Sequence, residues 1–125
     1  MDFIHFTEEE LMCKCGCRRL PRPEIILRAV LLRERWGEPL EVRSGARCMA
    51  HTLALRASGT PAALKSAHLS GEALDLAPIG SPIAEFHDFV EGQLEALGLY
   101  MEDRSATPTW CHIQTRPSRL RVFRP

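Results

Sequence analysis

The sequence predicts an α+β domain in which a small antiparallel sheet is flanked by about three helices. Three observations predict it. Amphipathic stretches with proline starts and glycine stops read as helices; short alternating segments between and after them read as strands; and the last strands are joined by tight polar turns, so helices and strands are partly segregated.

The first helix opens at Pro23, carries Ile26, Ala29, Val30 and Leu32, and stops at Gly37 just beyond Trp36. Next, 40-LEVRSG-45 reads as a short strand entering a turn, and residues 47 to 57 as a second helix ended by Ser58 and Gly59. The stretch 59-GTPAALKSAHLSG-71 has little periodicity and is expected to be a loop, after which 73-ALDLAPI-79 alternates like a half-buried strand. In the third helix Ser81 is the expected cap and Pro82 the first helical residue. Ile83, Phe86, Val90, Leu94 and Leu97 share one face, and Gly98 ends it. The remaining strands are expected at 99-LYMED-103, 110-WCHIQT-115 and 120-LRVF-123, with turns over 104–109 and 116–119.

A chain of 125 residues is the length of one domain, expected over 1–125, and can close a modest core without disulfides. Basic and acidic residues number 16 each, so no global field favours nucleic acid or an anionic membrane, and neither is expected as a partner. The one basic cluster, 116-RPSRLRVFR-124, is read as a solvated face. No apolar run reaches membrane-spanning length, and MDFIHFTEEELM lacks the basic and apolar regions of a signal peptide, so the expected location on synthesis is the cytoplasm.

Five cysteines without an export signal argue against a disulfide framework, because the count is odd and the compartment reducing. Cys13, Cys15 and Cys17 form the cluster 13-CKCGC-17. Two readings stand: a structural zinc site that Cys48 or Cys111 would complete, or buried small hydrophobes and redox-labile thiols.

The chemistry concentrates in 66-SAHLSGEALDL-76 and 110-WCHIQT-115. His68 lies in the loop ahead of a strand, Gly71 lets the backbone turn, and Asp75 shares a strand face with Ala73, whose small side chain leaves room beside the carboxylate. On the later strand Trp110, His112 and Gln114 share one face, while Cys111 and Ile113 take the other. If the two strands are neighbours, His68, Asp75 and His112 converge. Two histidines and a carboxylate make the ligand set of a catalytic zinc, which keeps a position open for water. A His and an Asp seven residues apart also occur by chance, so this pair alone does not establish a site.

The order 44-SGARC-48, then Ser66, His68, Gly71, Ala73 and Asp75, then Trp110 and His112, resembles the zinc D-Ala-D-Ala carboxypeptidases and L-alanyl-D-glutamate endolysins of the Hedgehog/DD-peptidase fold. The opening 11-LMCKCGC-17 is similar to that of small phage and prophage members. The resemblance implies zinc bound by His68, Asp75 and His112, and Arg47 as the cation for the substrate carboxylate or developing oxyanion. It implies Ser66 as a support of the site loop, and a metal-activated water that hydrolyses peptidoglycan stem peptides, as a D,D-carboxypeptidase or an L-alanyl-D-glutamate endopeptidase. A phage-type export or lysis system would then carry the chain to the cell wall.

In one respect the sequence departs from that family. Its enzymes commonly place a Glu or Asp three residues before the last histidine as general base, and here that position is Thr109. A hairpin around Ala106 and Thr107 would set Asp103 opposite Trp110 on the face of His112, so Asp103 is the expected substitute; a register one residue different would give Glu102 that place. The other class of function left open is a catalytically inactive, zinc-holding binding module of the same fold.

Overall fold

The computed structural model describes residues 3–60, 62 and 65–125; of the expected loop over 59–71, positions 61, 63 and 64 lie outside the described residues. In chain order the elements are α1 (Glu8–Leu11), α2 (Pro23–Trp36), β1 (Leu40–Ser44), α3 (Met49–Ala57), β2 (Ala73–Pro78), α4 (Ile83–Leu97), β3 (Tyr100–Glu102), β4 (Cys111–Gln114) and β5 (Val122–Phe123). The architecture is α+β, with five strands and four helices among the described residues.

The strands form one sheet in the order β1-β2-β4-β3-β5. The sheet is mixed rather than wholly antiparallel, because β5 runs parallel to β3. Both edges of β4 are already occupied, by β2 and β3, and the last strand adds at the outer edge of β3. There Met101 N–H donates to the Arg121 carbonyl and Asp103 N–H to the Phe123 carbonyl.

Side-chain alternation gives this sheet two functions. Leu74 and Leu76 of β2, with Cys111 and Ile113 of β4, join a buried core with Ile25, Ile26, Ala29 and Leu32 of α2 and Phe86, Val90, Leu94 and Leu97 of α4. Asp75 of β2 and His112 and Gln114 of β4 point to the opposite face. The Cα register pairs Asp75 directly with His112, which brings their side chains together at the centre of the sheet.

The helix ends follow local chemistry. Pro23 opens α2, and Gly37 closes it in the left-handed conformation at φ 80°, where a side chain would be strained. α4 also ends on a left-handed glycine, Gly98, but begins differently from expectation: Pro82 is its cap residue, and the Ser81 hydroxyl donates instead to the Glu38 carboxylate. The short helix α1 was not expected. Its signal is the reciprocal capping box in which Thr7 accepts from the Glu10 amide and Glu10 accepts from the Thr7 amide.

Candidate metal centre and its cleft

Asp75 and His112 come from adjacent strands, and His68 is brought to them by the loop before β2. That loop turns at Gly71, whose φ of +73° lies in the left-handed region and whose amide donates to the His68 carbonyl. The same His68 carbonyl accepts from the Arg47 amide, so the segment before α3 and the loop before β2 are fastened together.

Three side chains meet around one oxygen. His68 Nε2 lies 3.2 Å and His112 Nδ1 2.9 Å from Oδ1 of Asp75, and the two imidazole rings stand nearly perpendicular. Both histidines are buried. Burial alone would raise the Asp75 carboxyl, but hydrogen bonds from His112 and His68, with their charges, hold it well below the usual carboxylate range. Burial would conversely lower His112, and the hydrogen bond and charge of Asp75, the charge of Glu102 and the bond to Gln114 outweigh it, leaving this imidazole raised.

The outer nitrogens show what the inner ones offer. His68 Nδ1 lies 2.7 Å from the Gly45 carbonyl oxygen, which can only accept, so the proton of this ring sits on Nδ1 and Nε2 presents its lone pair to the centre. His112 Nε2 lies 2.7 Å from Gln114 Oε1, and the Gln114 amide is oriented by its own donation to the Arg116 carbonyl at 2.9 Å. Its oxygen therefore faces His112, the Nε2 proton is committed outward, and Nδ1 faces Asp75. One divalent ion would satisfy both lone pairs and the carboxylate together, and the donor set, two imidazoles and a carboxylate with outer N–H groups anchored, is that of a catalytic zinc. These three residues could hold such an ion.

The centre opens into a cleft lined by Arg47, Ser66, Ala62, Glu102 and Trp110. An adjoining cleft shares Ser66, Glu102 and His112 and continues past Lys65, Arg116 and Phe123. Arg47 Nη2 donates to Ser66 Oγ at 3.0 Å, and the same hydroxyl accepts from the His68 amide at 3.2 Å. The buried Nε of Arg47 has no hydrogen-bond partner among the described residues. Burial lowers this guanidinium from its ordinary value, against the opposing charges of Asp75, Cys13 and Glu102; an arginine still keeps its proton, so the cleft contains a fixed cation.

The carboxylate beside the centre is Glu102, not Asp103. β3 and β4 pair Tyr100 with Gln114 and Met101 with Ile113, a register that sets Glu102 opposite His112 and turns Asp103 away. Glu102 Oε1 is 3.8 Å from His112 Nδ1. Asp103 ends the strand by capping the turn: its carboxylate accepts from the Ser105 amide at 2.9 Å and from the Ser105 hydroxyl, and its carbonyl accepts from the Ala106 amide. Those bonds from Ser105 lower the Asp103 carboxyl. Thr109 is exposed and does not line the cleft.

Two contributors carried no assigned role in the sequence reading. Gln114 was placed on the right face, but its part in orienting His112 depends on the Arg116 carbonyl, which sequence spacing does not reveal. His87, buried on α4, donates from Nε2 to the Trp110 carbonyl at 2.6 Å and so holds the residue that leads into β4. A polar residue among the apolar positions of α4 was its only signal.

The fold and this face define a class: an α+β domain with a three-ligand metal centre on the open side of a small sheet. A family model described as Peptidase M15 matches residues 4–113, and the chain belongs to that family, the zinc peptidases of the Hedgehog/DD-peptidase superfamily. Membership implies zinc-dependent metallopeptidase activity, a hydrolysis, on a peptide substrate. No curated protein and no solved structure matches the chain. Among the described residues no helix is long and apolar enough to cross a membrane.

Proposed function

We propose that the protein hydrolyses an amide bond in peptidoglycan stem peptides, as a carboxypeptidase or endopeptidase. His68, Asp75 and His112 are the zinc ligands in this reading, Glu102 the general base and Arg47 the substrate-binding cation. The observation that carries it is the convergence of His68 Nε2, His112 Nδ1 and Asp75 Oδ1, with the outer imidazole protons already bonded to Gly45 and Gln114. Zinc held there would lower the pKa of a water to about 7 and polarise the scissile carbonyl.

The chain's own residues do the rest. Glu102, facing the centre from β3, takes the proton of the attacking water and passes it to the leaving amine, a role worth about two to four orders of magnitude in rate. It replaces the carboxylate that Thr109 cannot supply. Arg47 keeps donor capacity beyond its bond to Ser66 and can pair with a substrate carboxylate or with the oxyanion that develops on the carbonyl. Lys65 along the adjoining cleft favours an anionic peptide, as a stem peptide is, while Arg116 there is paired with Glu72.

The test is zinc content measured together with hydrolysis of purified peptidoglycan and synthetic stem peptides, comparing the native chain with His68→Ala. The expected result is loss of one zinc equivalent and of all turnover. Native protein that holds zinc at this centre yet cleaves no stem peptide would replace this reading with the binding module, and undiminished zinc in His68→Ala would remove the proposed centre.

A further inference from the structure

A second group of ligand atoms lies away from this cleft. Cys13, Cys15, Cys17 and Cys48 bring their sulfurs within 4.8 Å of one another, from a five-residue knuckle and from the residue that precedes α3. The sulfurs of Cys13 and Cys15 are 3.4 Å apart, those of Cys15 and Cys48 3.4 Å, and those of Cys13 and Cys48 3.8 Å. A disulfide would need about 2.0 Å. A tetrahedral tetrathiolate with zinc–sulfur bonds of about 2.3 Å has edges of about 3.8 Å, close to the spacings found.

The backbone around the cluster is arranged as for thiolates. The Cys48 amide donates to Cys13 Sγ at 3.4 Å, and the His51 amide, in the first turn of α3, donates to Cys48 Sγ at 3.3 Å. The knuckle closes on itself through the Cys13 amide and the Arg19 carbonyl, 2.8 Å apart, and its tight turns use left-handed conformations at Gly16 and Arg18. Lys14, Arg18 and Arg19, within and just after the knuckle in sequence, add positive charge to this segment, which opposes the excess negative charge of four thiolates on a divalent ion. Cys111, the other candidate fourth ligand, is buried in the core beside Ile113 and takes no part.

We infer that Cys13, Cys15, Cys17 and Cys48 form a second, structural zinc site, closed to substrate, that fastens the N-terminal knuckle to the start of α3. Its position gives it a purpose. Cys48 follows Arg47 directly, the Ala46 amide donates to the Leu11 carbonyl, and the Gly45 carbonyl receives His68 Nδ1. The segment from Gly45 to Cys48 therefore carries the cleft cation and a support of one ligand of the centre, and the second zinc holds its far end in place.

Cobalt substitution of the full chain tests this, because only a thiolate site gives an intense sulfur-to-cobalt charge-transfer band. The expected result is two metal equivalents in the native chain, with the band present in native protein and in His68→Ala and absent in Cys15→Ser/Cys17→Ser. The His68→Ala chain keeps all five cysteines, so the answer does not depend on the folding of a cysteine variant. Cobalt-loaded native protein that lacks the band, or metal-loaded native protein in which these four thiols react freely with Ellman's reagent or are found as a disulfide, would overturn the inference.

Discussion

Gln114 determines which nitrogen of His112 faces Asp75. Its side-chain oxygen lies 2.7 Å from His112 Nε2, and its own nitrogen is fixed on the Arg116 carbonyl, so the ring is held with Nδ1 toward the carboxylate. Gln114→Ala would free the ring to rotate and leave a buried N–H unmatched. The expected outcome is zinc affinity weakened by about 10–100-fold, read by competition with a chelator. Equal affinity in native and Gln114→Ala protein would contradict this role.

Gly45 is required by close approach rather than by an unusual φ. A Cβ at this position would lie 2.0 Å from the Leu11 carbonyl oxygen, backbone against backbone, so no side chain can give way. Gly45→Ala is expected to cost on the order of 1–3 kcal/mol of stability, measured by denaturant unfolding. It should also weaken zinc binding, because the Gly45 carbonyl would move away from His68. A variant with native stability would show that this approach is looser than the structure indicates.

The metal-free chain should lose stability on the alkaline side. His112 is raised in the folded state, so its contribution is fully present below about pH 6.5 and is lost as pH rises through the folded value. Asp75 is lowered, so its contribution is present above about pH 4 and is lost as pH falls toward the folded value. Zinc must displace the proton of His112, so its stabilising increment should grow over the range in which the metal-free chain weakens. Thermal unfolding in EDTA and in excess zinc, from about pH 5 to 8, checks both trends. A melting temperature in EDTA that rises steadily with pH would contradict the pairing.

The parts legible in the sequence were those fixed by local pattern. The apolar face of α4 and the glycine stops of α2 and α4 follow from spacing and backbone chemistry, and so does the alternation that turns Asp75 and His112 away from the core. Less legible was whatever one side chain decided between alternatives of similar energy. Asp103 could extend β3 or cap the turn; its bonds to Ser105 favour the turn and shift the register by one residue, which exchanges Asp103 for Glu102 at the cleft. Ser81 could cap α4 but bonds to Glu38, a partner 43 residues away. The parallel pairing of β5 depends on which sheet edge remains free, and that is a property of the assembled sheet.

The cysteine cluster shows the same division. The sequence displayed three thiols in the knuckle and left Cys48 and Cys111 as equal candidates for the fourth. Strand alternation sends Cys111 into the core, while the turn before α3 brings Cys48 to the knuckle.

The most direct test compares Glu102→Gln with Asp103→Asn, both zinc-loaded, for turnover of a stem peptide. Glu102→Gln should keep its zinc and lose about two to four orders of magnitude in kcat, and Asp103→Asn should keep native turnover with at most a small loss of stability. Native turnover in Glu102→Gln, or loss confined to Asp103→Asn, would contradict the assignment of Glu102 as the base.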